Sequence, residues 1–563
     1  MTTAPAPDGE FARLLKPFLP WILLSAVTGI GAGAATVALL STINQVLNRQ
    51  GGLSGGLLLT FIALCAAALF GRMVSDVSTN YVGQRVVAQV RKSLAQKILS
   101  APIDALERYR THRLMPVLSQ DVDMVSDVAF ALAATLIACV TALGCLGYLA
   151  YLSLPLFGVL VAALAIGATV QAMAQIRGVN GFWKAREHED QLHKAYRAIS
   201  EGAKELRMHR VRRQRMFGGQ VERIVDNIRK VNGRAINTFV MATAFGSGLF
   251  FLLIALILGW ASFRPTEPAV LSGFVLVLLF LKGPMDQIAG ALPAVGRARV
   301  AFRRIADLSA RFATPEPHLH VGHAGGELKF EHEIALRGVR YAFDAPEGGE
   351  AFALGPIDLR LRRGEMVFVV GDNGSGKTTL VKLLLGLYAP HEGEVAIDGT
   401  GVGPERRDDY RQLFTTVFSD FYLFEDLAAG PDEAQGEASM QVLPQRALPY
   451  LERLEIAHKV SLKNGAFTTT DLSTGQRKRL ALVHAYLEGR PVLVFDEWAA
   501  DQDPTFRHLF YTELLPELRA KGHLLVVISH DDRYFHLADR VITMHAGRIA
   551  HDRPRGHLES LAA

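Results

Sequence analysis

Four side chains far apart in the chain carry reactive chemistry: Lys377, Asp496, Glu497 and His530. Lys377 closes the run Gly371-Asp372-Asn373-Gly374-Ser375-Gly376-Lys377-Thr378, in which four residues separate the first glycine from Gly-Lys-Thr. That spacing makes a phosphate loop, because glycines let the backbone curl until its N–H groups point at phosphate oxygens. The candidate nucleotide contacts are Gly371, Asn373, Gly374, Ser375, Gly376, Lys377, Thr378 and Thr379. Lys377 supplies a point charge for the β- and γ-phosphates, and the Thr378 hydroxyl is a Mg²⁺ ligand.

The two carboxylates end an apolar run, Pro491-Val-Leu-Val-Phe495. On a strand, neighbouring side chains point to opposite sides. Asp496 can therefore hold Mg²⁺ while Glu497 polarises an attacking water, the positioning that phosphoryl transfer needs. His530 follows another apolar strand, Leu524–Ile528, and is placed to reach a γ-phosphate. Leu472-Ser473-Thr474-Gly475-Gln476 heads a helical stretch. Its Ser473 hydroxyl, Gly475 amide and Gln476 form a second candidate anion site. Tyr341 and Phe343 alternate on a strand before the loop, and one of them can stack on an adenine face.

These residues need a scaffold of strands and helices. Met366–Val370 has the β-branched content of a buried strand, and Thr378–Leu387 reads as the helix whose N-terminus faces the phosphates. The last 230 or so residues thus read as an α/β domain over 329–563. The first 310 residues have another character. Six apolar runs, near 18–40, 56–77, 128–150, 155–175, 236–262 and 268–290, are long enough to cross a bilayer. The segments after runs two and four carry seven and fifteen Lys/Arg residues, whereas the links after runs one, three and five carry one, none and one. The positive-inside rule places the basic segments and both termini in the cytoplasm. Helical apolar spacing continues through both segments, so they read as membrane helices extended into the cytoplasm, with turn-backs near Ala101-Pro102 and Gly202.

Thr314–Gly326 breaks the helical pattern and reads as a linker over about 311–328; its His318, His320 and His323 lack a fourth ligand for a metal. Cys65, Cys139 and Cys145 all sit in apolar runs and form no disulfide framework. The basic run Arg207–Arg215 reads as a solvated helix face, and no nucleic-acid partner is expected. Arg72 with Asp76 and Lys282 with Asp286 are spaced four apart at inner-leaflet depth, and are expected to line a substrate cavity.

In this order the motifs resemble an ABC transporter half: an α-helical membrane domain of exporter type 1 fused to a P-loop ATPase domain. The phosphate loop resembles Walker A. Leu472–Gln476 resembles the signature motif, with Thr474 at its variable position, and Val492–Glu497 resembles Walker B plus catalytic glutamate. Ala500–Asp503 looks like the D-loop and His530 like the switch histidine; Phe343 stands where the family stacks adenine. The family's Q-loop glutamine aligns with Ser419, a candidate metal contact. Either the adjacent Asp420 substitutes for it or the coupling is handled differently. The resemblance implies ATP and Mg²⁺ as cofactors, and a homodimer with each ATP between Walker A of one copy and the signature of the other. It also implies a multi-pass location in the bacterial inner membrane, among its lipids. Val417–Phe424, Leu472–Leu480 and Asp496–Pro504 look like the cyclic-peptide exporter group, which implies a peptide siderophore precursor or peptide antibiotic as substrate. Lipid or multidrug export by the same machinery is the alternative, and an ATP-gated regulatory protein a further one.

Overall fold

Helices α1 (Leu19–Leu47), α2 (Gly55–Leu99), α3 (Val122–Leu152), α4 (Leu154–Glu201), α5 (Glu222–Phe263) and α6 (Pro268–Arg311) fill the first part of the chain. The computed structural model describes residues 17, 19–47, 55–109, 111–263, 267–319, 326, 328–343, 352–427, 437–463 and 465–555. Six helices among the described residues are long and apolar enough to span a membrane. The chain divides into two compact units, Met1–Ala101 with Ala105–Thr314, and Pro102–Asp104 with Pro315–Ala563.

In the first unit, α2 and α4 run for 45 and 48 residues without a break. At 1.5 Å per residue that is about 70 Å, more than twice a hydrocarbon core of about 30 Å. The helix pairs meet through small side chains, as helices must where lipid supplies no hydrophobic drive. A Cβ on Gly178 of α4 would stand 2.1 Å from the ring of Phe239 on α5, so only glycine permits that crossing. Hydroxyls join α1 to α2, with Ser25 Oγ 2.6 Å from Thr79 Oγ1. Every residue from Arg207 to Arg215 is exposed.

An ionic cluster is buried beyond the membrane spans. Asp121 ends a π-helical turn, Val117–Asp121, and is fully buried. Its carboxylate lies 2.5 Å from Arg186 Nη2 of α4 and 3.1 Å from Arg304 Nε of α6. Arg304 also pairs with Asp190 at 2.9 Å. Burial pushes the Asp121 carboxyl above its usual range, against the pull of Arg186 and Arg304.

The second unit is built on two sheets. Strands β1 (Glu333–Ala342), β2 (Ala353–Arg362), β4 (Glu392–Ile397) and β5 (Thr400–Gly401) form an antiparallel sheet in the order β2-β1-β4-β5. The other sheet contains β3 (Met366–Gly371), β6 (Phe414–Val417), β7 (Val492–Asp496), β8 (Leu524–Ile528), β9 (Arg540–His545) and β10 (Arg548–Pro554). Its order is β10-β9-β3-β8-β7-β6, parallel except for the β9–β10 edge. Pleating sends Val367, Val369, Val494 and Val526 into one apolar cluster, and Phe368, Phe495, Leu525 and Val527 into another. Burial on both faces is why these strands read as unbroken apolar runs. It also leaves the strands' C-terminal ends as the place where polar groups can gather.

Candidate functional site

The phosphate loop leaves β3 and enters α7 (Lys377–Leu384). Gly371, Gly374 and Gly376 take φ of 144°, 80° and 101°. A Cβ on Gly371 would lie 2.3 Å from the Met544 carbonyl oxygen, so the curl depends on glycine there. Lys377 is 6% exposed, and its Nζ donates to the carbonyls of Gly371 at 2.9 Å and Asp372 at 3.0 Å. The ammonium is therefore held inside the concavity its own loop encloses. Ser375 Oγ is buried with no hydrogen-bond partner among the described residues, as suits a group awaiting a phosphate oxygen. Asn373 is exposed on the loop, and Thr379 is half-buried in the first turn of α7.

Parallel pairing of β7 with β8 sets Asp496 beside Ile528, so the loops after these strands converge. Asp496 is 1% exposed, and its carboxylate lies 3.4 Å from Thr378 Oγ1. Burial raises its pKa, with the neighbouring Glu497 and Asp420 charges adding to the rise. A buried carboxylate and a hydroxyl facing each other form a donor set that fits a hard divalent cation. Glu497 takes a left-handed backbone, φ 52° and ψ 33°. Its carboxylate oxygen lies 3.2 Å from His530 Nε2. Ser419 and Asp420 are exposed just past β6, the neighbour of β7.

Ser473 caps helix α9 (Thr474–Glu488; α8 is Glu437–Arg453). Its Oγ accepts from Gln476 N at 3.4 Å, and the Gln476 side chain returns to Ser473 N at 3.4 Å. Ser473 Oγ is the acceptor in this cap, so its O–H remains to donate to an anion. Among the described residues no hydrogen bond or ion pair joins 472–476 to 371–379. Within this chain the two candidate anion sites are separate. Gly475 instead accepts at its carbonyl from Gln502 Nε2, 3.0 Å away.

Phe343, at the end of β1, is half-buried beside Phe352, ring centroids 6.2 Å apart, while Tyr341 is buried in the core. Sequence reasoning missed Phe352. Its Cζ would come within 3.1 Å of a Cβ on Gly376, so its ring covers the back of the loop. No spacing rule marks it. Also missed was Ser529, buried, which bonds Tyr511 at 2.7 Å and accepts from Asp531 N at 3.0 Å, fixing the backbone on both sides of His530. Lys478, between Arg477 and Arg479, is likewise buried.

Lys282 and Asp286 line a cavity of about 510 Å³ among α3, α4, α5 and α6. Arg72 and Asp76, expected there too, pair at 3.8 Å on an exposed face of α2 and are not among its lining residues. Among the described residues no group of three His, Cys, Asp or Glu could hold a metal. His320 and His323 lie outside the described residues.

The pattern of the family "ABC transporter" matches residues 354–500, and that of "ABC transporter transmembrane region" matches 18–180. ATP-binding protein SyrD of Pseudomonas syringae pv. syringae is 34% identical, with 97% of each chain covered. An ATP-dependent lipid A-core flippase of Ralstonia nicotianae is 26% identical, covering 97% of this chain and 93% of that one. The solved structure of a bacterial Atm1-family ABC exporter with ATP bound superposes with a TM-score of 0.73 at 16% identity, over 98% of this chain and 97% of that one. At that identity the likeness speaks for the fold.

Proposed function

The chain belongs to the ABC transporters, and from that premise we propose that it acts as a homodimer exporting a cyclic or modified peptide across the bacterial inner membrane. As an exporter-type member it couples ATP hydrolysis to transport, with its ATPase domain in the cytoplasm. Carrying one membrane domain and one ATPase domain, it is half of a transporter and must dimerise to work.

The observation that carries the hydrolytic reading is the Glu497–His530 pair at 3.2 Å, beside the Thr378–Asp496 pair at 3.4 Å. Lys377 neutralises charge on the β- and γ-phosphates, Ser375 donates to a phosphate oxygen, and Phe343 stacks on adenine. Thr378 and Asp496 hold Mg²⁺, which supplies charge neutralisation to the phosphates when bound. Glu497 orients and deprotonates the attacking water, and His530 holds Glu497 on one side and the γ-phosphate on the other. Asp420 or Ser419, both exposed just past β6, takes the Q-loop position. Ser473, Gly475 and Gln476 serve the ATP bound by the other copy, which suits their separation from the phosphate loop of their own chain.

Peptide as cargo is supported by the likeness to the cyclic-peptide exporter group and by the neutral lining of the α3–α6 cavity, where Lys282 pairs with Asp286. The relatives named as lipid A-core flippases support a second reading, lipid movement. Purified protein in liposomes separates the two. An uncharged cyclic peptide should stimulate ATPase activity and be concentrated on one side with ATP. Stimulation by lipid A and none by the peptide would overturn the peptide reading.

A further inference from the structure

Three consecutive residues after the Glu497 turn grip the first turns of α9. Asp501 pairs with Lys478 at 2.7 Å, and Asp503 with Arg479 at 2.6 Å. Between them Gln502 is 5% exposed, and its side chain holds two groups at once. Nε2 donates to the Gly475 carbonyl at 3.0 Å, and Oε1 accepts from Arg479 Nε at 3.1 Å. A carbonyl can only accept and a guanidinium can only donate, so these partners fix which way the amide faces. Arg479 is held in turn, its guanidinium carbon 3.7 Å from the centre of the Phe506 ring. The backbones are close as well. A Cβ on Gly475 would stand 3.0 Å from the Asp501 carbonyl oxygen, tighter than an ordinary contact, so glycine suits this approach.

Helix α9 does not need the Gln502 bond for its own integrity. Gly475 is its second residue, and the carbonyl there already accepts from the N–H four residues on. Gln502 takes the second lone pair of that oxygen. What the bond adds is a fixed place for the first turn of α9 against the turn that carries Glu497. The first N–H groups of a helix have no partner within it. With the Ser473 hydroxyl, they are the groups through which residues 473–476 would meet an anion.

We infer that Gln502 is a positioning residue: it fixes the Gly475 peptide so that residues 473–476 close on the ATP held by the other copy as one piece with the Glu497–Asp503 turn. The inference rests on the reading that residues 473–476 serve that ATP, and deepens it. A first turn free to shift would have to be ordered at every closure, and that ordering weakens the contact it makes.

The test uses the full-length protein in nanodiscs, in the Glu497→Gln background. Radiolabelled ATP is loaded with Mg²⁺, free nucleotide is removed by rapid gel filtration, and the rate at which retained ATP leaves is measured. Gln502→Met keeps the length of the side chain and neither hydrogen bond. It should speed release about fivefold, the scale of one net hydrogen bond. Gln502→Asn keeps an amide but is one carbon too short to reach Gly475 and Arg479 together, and should do the same. Val483→Ala opens a small gap in the apolar core about two turns further along α9. It should lower the thermal midpoint at least as much as Gln502→Met, yet leave release within twofold of the background. Release at the background rate in either Gln502 variant, or release sped equally by Val483→Ala, would overturn the positioning role and leave the reading of residues 473–476 standing. A Glu497→Gln protein that retains no ATP would sink that reading, and the inference with it.

Discussion

Lys478 holds the backbone of Glu497: its buried Nζ donates to the Glu497 carbonyl oxygen at 2.9 Å and pairs with Asp501 at 2.7 Å. Trp498 Nε1 closes the link by donating to the Lys478 carbonyl at 2.9 Å. Glu497 needs such support, because its left-handed φ of 52° is a strained conformation for a residue with a Cβ. The tie also connects helix α9, which follows the proposed signature motif, to the carboxylate proposed to act on water. With its Nζ bound to the Glu497 carbonyl and Asp501, Lys478 is proposed to act by positioning Glu497. Lys478→Met, of similar length, should lower kcat for ATP about tenfold or more, the scale of one charge-assisted hydrogen bond. KM for ATP should stay within a few-fold. Steady-state ATPase kinetics check the split, and a rise in KM at constant kcat would assign Lys478 to nucleotide binding instead.

Glu497→Gln keeps the side-chain shape but removes the proposed base. Turnover should fall by at least about 100-fold, while ATP binding persists and the protein accumulates as an ATP-bound dimer. Lys377→Ala should do the reverse, weakening ATP binding by removing the charge inside the loop. Binding of a fluorescent ATP analogue, measured beside phosphate release, tells the two apart.

Two histidines tie the stability of the ATPase unit to pH. Burial lowers the pKa of His484, packed edge-on against Phe467, and of His523, whose Nδ1 lies 2.9 Å from the Arg490 carbonyl. The unfolded chain takes up protons near the ordinary value of 6.5 that the folded chain refuses. Their contribution is therefore complete above that value and is lost as pH falls from it through the lowered folded pKa. The drop in thermal midpoint between pH 7.5 and pH 5.5 should be smaller in His484→Leu/His523→Gln than in wild type. Equal drops would mean that neither histidine drives it.

Asp121→Ala should destabilise the helical unit by about 1–3 kcal/mol, because Arg186 and Arg304 lose their shared buried counter-ion and keep only Glu189 and Asp190. Removing all three charges, as Asp121→Leu/Arg186→Leu/Arg304→Met, should recover most of that loss. Unfolding in detergent gives the comparison. A triple variant no more stable than the single one would show that the cluster contributes more than its replacement by apolar packing.

What sequence alone settled was whatever depends on residues close together in the chain. Gly371–Thr378 must curl, because the glycines and the flanking strand and helix act within one short segment. The six spans and their orientation follow from local apolar length and from charge counts in neighbouring segments. Strand alternation was the sequence's reason for parting Asp496 from Glu497, but the strand ends at Asp496 and Glu497 takes a left-handed backbone instead. Tertiary structure decided what depends on partners distant in sequence. Nothing in Gln-Arg-Lys-Arg singles out Lys478 until the fold brings Glu497 and Asp501 to it. Ser473 reads as an anion ligand; only the helix geometry shows its Oγ accepting from Gln476 N, which leaves the O–H to donate elsewhere. Arg72 and Lys282 look equivalent by spacing and depth, yet only Lys282 lines the cavity, because α6 packs among α3, α4 and α5 whereas Arg72 lies on an exposed face of α2. Burial and pairing are properties of contacts across the fold, and no local pattern encodes which face of a helix receives them.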